Sequence, residues 1–381
     1  MPKSSGYTKR LVRVWTALVA VAASLAISAS AAQALPAGFW GVVPQSNLSG
    51  DQYQRLGTGG VESVRIPVGW GSVQLAKNGP FDWSGFDSQV EAASKAGIKV
   101  LPFLSGAPEW AVPAKKVPGA GGLKAPAHLP VSGAARTGWA AFVTAAVARY
   151  GPSGSFWSEH PGVPKRPIRV WQIWNEPNFK YFIAKPNPTE YGKLVKISYS
   201  ALKAADPGAK IVLAGLFARP KGARNAAGKH KSLNWYASDF VDRMYATTPG
   251  LKASYSGAAL HPYTINAREL PEVTEEFRNV LAENKDAGKG LWVTELGWSA
   301  GPKSSNNLFA KGPAGQAREL KTSLTLLRNK QVKWKLKSVF WFSVDDAPGA
   351  CNFCSHSGLF AEGFTPRKSW FEFVKLAGGT P

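Results

Sequence analysis

Residues 168–178 of this chain read IRVWQIWNEPN. The first seven residues are mostly apolar or β-branched, which is typical of a parallel strand that is buried on both faces. The run ends at a carboxylate, Glu176, which follows Asn175 directly. A charged group at the end of a buried strand is costly unless it is paired or used. The stretch therefore predicts a strand that delivers a functional glutamate.

Seven further runs of this kind occur, and amphipathic stretches alternate with them. The predicted strands are Phe39–Val43, Val61–Val68, Lys99–Leu104, Ile168–Trp174, Lys210–Leu216, Gly257–Leu260, Gly290–Thr294 and Ser338–Phe342. The predicted helices are Phe86–Ala96, Gly138–Tyr150, Thr189–Ala205, Trp235–Tyr245, Leu270–Ala287, Gly315–Asn329 and Lys368–Leu376. This alternation favours a closed barrel over an open doubly wound sheet, because no glycine-rich phosphate fingerprint follows the first strand. We expect an α/β protein with one domain, a (β/α)8 TIM barrel over residues 35–381.

Three long stretches rich in Pro, Gly and Lys separate the predicted elements. Ala107–Ser132 and Arg219–Ser232 follow the third and fifth strands, whereas Gly151–Pro167 precedes the fourth. Loops that follow strands build the active sites of barrels. We expect the first two to lie on the catalytic face, where they either shape a cleft or merely connect elements.

A second glutamate ends the seventh strand. Residues 291–298 read LWVTELGW and place Glu295 where an apolar run stops. Strands four and seven face each other across an eight-stranded barrel, so their ends can flank a bound sugar. Glycoside hydrolysis requires one protonated carboxyl group and one ionised carboxylate at such positions. The pattern predicts Glu176 as acid/base and Glu295 as nucleophile.

WQIWNEPN and LWVTELGW resemble the acid/base and nucleophile segments of the clan A glycoside hydrolases. Upstream, VRIPVGWGSV and NGPFDWSGFDSQVEAASKAGIKVLPFLSGAPEWA resemble the second and third strand region of family 39, with family 5 as the second match. The resemblance extends over essentially all of residues 35–381. It implies a retaining β-glycosidase that hydrolyses the O-glycosidic bonds of a poly- or oligosaccharide by double displacement, with no cofactor and no metal.

The resemblance also assigns roles to individual residues. Arg65 would keep the nucleophile ionised, and Asn175 would bind the sugar 2-hydroxyl group. His261 and Tyr263 would line the site and orient the nucleophile. Three tryptophans complete the expected substrate-binding set: Trp341 as an aromatic platform under the reactive sugar, and Trp70 and Trp110 at family-like positions after strands two and three.

The amino terminus predicts export. A basic head is followed by an apolar stretch from about Trp15 to Ile27 and by the small-residue site Ala32-Gln33-Ala34. This order is typical of a secretory signal peptide over residues 1–34, and hence of an extracellular protein. An uncleaved membrane anchor is the alternative, although the apolar run is short for a bilayer span.

Cysteines and charge give weaker indications. In an exported chain, Cys351 and Cys354 predict a local disulfide, and a redox or metal-binding pair is the alternative. The net charge of +22 indicates either an anionic partner, such as an acidic glycan or a cell wall, or a solubility trait. No nucleic-acid motif accompanies this charge, so nucleic acid is not an expected partner.

Two readings compete with catalysis. The barrel could serve as a non-catalytic carbohydrate-binding surface, but a binder would not need two ionisable groups at these positions. Alternatively, a basic adhesive protein would bind anionic polymers in a salt-sensitive way that survives the loss of Glu176.

Overall fold

Eight parallel strands form a closed barrel, in which each strand pairs with its neighbours along the chain and the last strand pairs with the first. The computed structural model describes residues 34–118, 120–219, 234–303, 307–349 and 351–381, so residues 1–33 of the expected signal peptide and most of the 219–232 loop lie outside the described residues. The strands are β1 Trp40–Val43, β2 Ser63–Gly69, β3 Lys99–Ser105, β4 Val170–Ile173, β5 Lys210–Phe217, β6 Gly257–His261, β7 Gly290–Leu296 and β8 Leu336–Phe342. The predicted (β/α)8 barrel is confirmed.

One helix follows each strand. The helices are α1 Gly50–Thr58, α2 Ser84–Lys95, α3 Gly133–Tyr150, α4 Pro188–Ala205, α5 Ala237–Thr247, α6 Leu270–Glu283, α7 Gly312–Asn329 and α8 Lys368–Ala377. Sequence periodicity missed α1, which is short. Its signal was a capping box: the Ser49 hydroxyl accepts a hydrogen bond from the Gln52 amide, and the Gln52 side chain accepts one from the Ser49 amide.

The loops between these strands and helices contain shorter elements. Single-turn helices are found at Trp70–Val73, Ser155–Glu159 and Gln331–Trp334. The long loop after β3 contains a hairpin in which Ala114–Lys116 pairs with Lys124–Pro126. Leu35–Pro381 forms one compact unit. Among the described residues, no helix is both long and apolar enough to span a membrane.

Alternate residues of each strand face opposite sides of the barrel wall. Apolar side chains therefore form one cluster on each side of the wall. The larger cluster lies between strands and helices. The smaller one combines Val43, Leu101 and Phe340 with the partly buried Val170, Trp292 and Phe342. Its members come from strands on different sides of the closed barrel, so this cluster fills the barrel interior. Polar side chains on the same interior faces form the site described next.

Candidate active site

The structure brings Glu176 and Glu295 together at the carboxyl-terminal mouth of the barrel. Glu176 follows β4 by three residues, and Glu295 is the penultimate residue of β7. Both residues are buried, with 5% and 8% exposure. One oxygen of each carboxyl group and a ring nitrogen of His261 lie within 4.8 Å of one another. Two carboxyl groups therefore face a common point.

The backbone before Glu176 turns sharply to present its side chain. Trp174 and Glu176 have φ values of 70° and 39°, in the left-handed region. Such conformations cost on the order of 1–3 kcal/mol each in non-glycine residues. The Glu176 amide donates to the Gly215 carbonyl oxygen on β5 at 3.2 Å, which ties this turn to the neighbouring strand.

Arg65, fully buried on β2, organises the nucleophile side of the site. Its guanidinium donates to Glu295 Oε1, Asn175 Oδ1 and Gln172 Oε1, each at 2.6 Å. It also lies 3.9 Å from the ring centre of Phe103. Because Asn175 Oδ1 is occupied by Arg65, the amide Nδ2 is the group of Asn175 left to donate to a ligand.

His261, the last residue of β6, and Tyr263, in the loop after β6, contact the two carboxyl groups. The Tyr263 hydroxyl donates to Glu295 Oε2 at 2.9 Å. His261 Nδ1 lies 2.6 Å from Glu176 Oε1 and 3.5 Å from Glu295 Oε2, and its Nε2 lies 2.9 Å from Thr294 Oγ1. Burial, followed by the charge of Arg65, holds the pKa of His261 well below its usual value, so the ring is neutral.

Two buried residues that sequence reasoning missed, Gln172 and Thr294, complete a hydrogen-bond chain between the carboxyl groups. Arg65 can only donate, so Gln172 must turn Oε1 towards it. Gln172 Nε2 then donates to the Leu213 carbonyl oxygen at 3.0 Å and to Thr294 Oγ1 at 3.2 Å. The Thr294 hydroxyl proton is left for His261 Nε2. This sequence of donors assigns the ring proton to His261 Nδ1, which donates to Glu176.

Gly215 leaves room for this chain. A Cβ atom at Gly215 would lie 1.9 Å from His261 Nε2 and 2.4 Å from Thr294 Oγ1. Any larger residue on β5 at this position would displace the imidazole. The sequence signal for Gln172 and Thr294 was a polar residue within an apolar strand. Gln172 lies four positions before Glu176, and Thr294 lies one position before Glu295.

The surroundings separate the acidities of the two carboxyl groups. Burial and then the charge of Glu295 raise the pKa of Glu176 well above its usual value, against the effect of Arg65. Burial also raises the pKa of Glu295, but the charge of Arg65 and hydrogen bonds from Tyr263 and Arg65 oppose that rise. A proton shared by the pair therefore resides on Glu176, while Glu295 is ionised.

Glu176, His261 and Glu295 have the spacing of a metal site. Arg65, however, already holds Glu295 Oε1 and adds a fixed positive charge within the cluster. This charge disfavours a bound cation by direct repulsion.

The expectation that Trp341 is an aromatic platform is wrong. Trp341 on β8 is fully buried and packs against Trp298, with ring centres 6.1 Å apart, in the layer between strands and helices. Because side chains alternate along a strand, its neighbours Phe340 and Phe342 face the barrel interior instead. The partly buried Phe342 is the aromatic residue that β8 directs towards the mouth.

Trp70 is also a core residue, contrary to its expected role in substrate binding. It is fully buried against Trp139 and Phe142, and its indole Nε1 donates to Gln74. Trp110 is partly exposed and packs edge-on against Trp70, with ring centres 5.2 Å apart. Among the described residues, no contact joins Trp110 to either glutamate.

A disulfide joins Cys351 and Cys354 in the loop after β8, as the sequence predicts. The loop carries Phe353, whose ring lies 5.5 Å from that of Tyr263 and 5.8 Å from that of Phe342. Sequence analysis assigned no role to the acidic residues of this loop. In the structure, Asp346 accepts two hydrogen bonds from the Arg367 guanidinium, at 2.7 and 2.6 Å, and so anchors the wall of the site.

Comparisons with known proteins support the fold. The chain matches no known family profile. Short segments are similar to curated β-amylases: 33% identity over 81 residues with the Cytobacillus firmus protein, and 38% over 52 residues with Beta-amylase 1 of Arabidopsis thaliana. These segments cover 20% and 14% of this chain, but only 17% and 9% of the amylases. They do not establish a family.

Solved structures match nearly the whole chain. A family 39 glycoside hydrolase from Bacteroides cellulosilyticus aligns with a TM-score of 0.63 and 21% identity, covering 90% of this chain and 64% of that one. A family 39 β-xylosidase from Caulobacter crescentus aligns with a TM-score of 0.64 and 20% identity, covering 91% of this chain and 72% of that one. A family 5 protein from Bifidobacterium longum aligns with a TM-score of 0.53 and 15% identity, covering 86% of this chain and 72% of that one. The chain thus shares its barrel fold with family 39 enzymes and, at lower similarity, with family 5.

Proposed function

We propose that this protein is a retaining glycoside hydrolase. The observation that carries the proposal is the asymmetric pair of buried carboxyl groups, Glu176 and Glu295, with one oxygen of each within 4.8 Å. Retaining glycosidases hold their two carboxyl groups roughly 5–5.5 Å apart, whereas inverting enzymes leave room for a water molecule between them. The shared barrel fold of family 39 enzymes adds to this argument.

In the first step, Glu295 attacks the anomeric carbon and a carbon–oxygen bond forms. The bond to the leaving group breaks, and the proton of Glu176 passes to the departing oxygen. Because His261 Nδ1–H donates to Glu176 Oε1, the transferable proton resides on Oε2. In the second step, water attacks the same carbon, Glu176 recovers a proton from it, and Glu295 is released as a carboxylate.

The surrounding groups keep these two roles apart. Arg65 and Tyr263 hold the Glu295 carboxylate by its two different oxygens, which fixes the orientation of the nucleophile. Asn175 Nδ2 donates a hydrogen bond to a sugar hydroxyl group. Such hydrogen bonds strengthen in the transition state of glycosidases. Phe342 replaces Trp341 as the proposed aromatic surface for the sugar.

We further propose that the protein is exported and acts on a carbohydrate outside the cell. The charged head, apolar run and small-residue site within residues 1–34 support this proposal. For the substrate, the names of similar structures suggest the first choices: one is a β-xylosidase and another an exo-β-1,4-mannosidase.

The test is hydrolysis of an aryl β-glycoside panel that begins with xyloside and mannoside. Wild type should release the aryl group with retention at the anomeric carbon, as followed by NMR. Glu295→Gln should abolish release, and an activated 2-fluoro glycoside should label Glu295. Glu91→Gln, at a partly exposed position on α2, is the matched control and should retain full activity. Inversion would exclude double displacement, and activity in Glu295→Gln would exclude this nucleophile.

A further inference from the structure

A second cavity opens at the other end of the barrel. Its volume is about 510 Å³, and its walls come from the amino-terminal starts of β3 and β8 and from residues 165–169, which lead into β4. None of the residues of the glutamate site lines it. The apolar cluster inside the barrel, which includes Leu101 and Phe340, lies at its inner end. The cavity is therefore a separate site on the face opposite the glutamates.

The walls of this cavity are strongly basic. No aspartate or glutamate is among the lining residues, which include five cationic side chains: Lys99, Lys165, Arg166, Arg169 and Lys337. Within the described part of the chain, only Arg169 has an acidic partner, Asp206 at 3.5 Å. Clustered cations of this kind attract anions through the local potential that they create.

One acidic residue, Glu62, adjoins the cavity wall, and in the described part of the chain it forms no ion pair with a lining cation. Glu62 precedes the lining residue Ser63, but its Oε2 accepts hydrogen bonds from the amides of Gly38 and Phe39 at 2.8 and 2.7 Å. Among the described residues, Lys99 and Arg166 donate to backbone carbonyl oxygens alone, at 3.2 and 3.3 Å. Their charges thus remain available to a ligand.

The inner wall is aromatic and apolar. Trp292 and Phe340 both line the cavity, and Trp292 is only partly buried. Two glycines make room for the indole: a Cβ atom would lie 2.0 Å from the Trp292 ring at Gly257 and 3.1 Å from it at Gly290. An indole offers a large apolar face, against which the apolar face of a sugar ring can pack. A sugar ring that carries an anionic substituent combines the two properties that this cavity offers.

We propose that this basic cavity binds an anionic glycan, with the carboxylate groups of the polymer on the lysines and a sugar face on Trp292. Binding here leaves the mouth of the barrel free. The site would hold the protein on an acidic polymer while the glutamates act on a glycosidic bond, and it does not depend on the catalytic proposal.

The test measures binding of the full chain to polygalacturonate at low ionic strength by calorimetry. Fully methyl-esterified polygalacturonate, which has the same backbone without the charge, is the matched probe. The variant Lys99→Gln/Lys337→Gln should bind polygalacturonate about tenfold more weakly, equivalent to about 1.4 kcal/mol. The control variant Lys193→Gln/Lys375→Gln removes the same charge from exposed positions on α4 and α8 and should bind like wild type.

Two further variants locate the ligand. Trp292→Leu keeps the cations and should weaken binding through loss of the aromatic face. Glu176→Ala should bind polygalacturonate as wild type does, because the polymer does not occupy the barrel mouth. Four results would each overturn the proposal. They are an equal loss of affinity in both double lysine variants, binding of the methyl ester as strong as that of polygalacturonate, weaker binding in Glu176→Ala, and no binding by wild type. Unchanged melting temperatures verify that the variants fold.

Discussion

Replacing Tyr263 with phenylalanine tests how the structure sets the acidity of the nucleophile. The change removes one hydroxyl group, which donates to Glu295 Oε2 at 2.9 Å inside a buried site. A hydrogen bond to a charged group contributes about 1.5–3 kcal/mol, and one pKa unit corresponds to about 1.4 kcal/mol. The bond favours the ionised carboxylate, so its loss should raise the pKa of Glu295 by about one to two units.

The assay is the pH dependence of kcat/KM, which reports on the free enzyme. Catalysis requires Glu295 ionised, so activity is lost as the pH falls through the pKa of Glu295. In Tyr263→Phe this acid limb should move to higher pH by the same one to two units, while the basic limb, set by Glu176, moves less. Arg65 remains in contact with Glu295, which should keep measurable activity.

Tyr53→Phe is the control. It removes another buried tyrosine hydroxyl, one that donates to Gln89 at 3.0 Å away from the glutamates, and should leave the pH profile unchanged. An acid limb that stays in place or moves to lower pH in Tyr263→Phe would refute the reasoning. A shift of equal size in Tyr53→Phe would show that the profile responds to general loosening of the fold.

Three further predictions concern the hydrogen-bond chain and the carboxyl pair. Thr294→Val should lower kcat about fivefold with little change in KM, because loss of one hydrogen bond costs about 1 kcal/mol; Thr274→Val, which removes a buried hydroxyl without a hydrogen-bond partner among the described residues, should be neutral in the same kinetics. Gly215→Ala should abolish activity with the circular dichroism spectrum unchanged, because the methyl group would lie 1.9 Å from the imidazole. In Glu295→Gln the pKa of Glu176, followed by NMR, should fall, because the negative charge that raises it is gone; an unchanged value would assign the whole rise to burial.

Local patterns in the sequence were enough to predict the barrel. Most strands are largely apolar runs with residues buried on both faces, so their signal does not depend on distant contacts. The runs at β4 and β7 also lead into the candidate catalytic residues. This placement and the resemblance of both segments to clan A enzymes made Glu176 and Glu295 identifiable. The short helix α1 escaped because only its capping residues, Ser49 and Gln52, distinguish it from a loop.

The side on which a strand residue points was harder to predict. Trp341 and Phe342 are adjacent aromatic residues at the end of β8, and a shift of one position exchanges the barrel interior for the helical layer. Only strand pairing and packing decide between them, and the structure places Trp341 against Trp298. Trp70 begins the single-turn helix after β2, where helical packing directs its ring into the core beside Trp139 and Phe142.

The sequence alone determined the order of the eight strands and of the helices other than α1, and it placed the two glutamates at the ends of the fourth and seventh strands. The resemblance named Arg65 and His261, but only the tertiary structure showed how they are joined to the glutamates through Gln172 and Thr294. These four residues lie on four different strands and meet only when the barrel closes. It also gathered lysines and arginines from separate segments around one cavity. Periodicity along a chain reports which residues are buried, whereas contact between distant residues depends on how the strands pair.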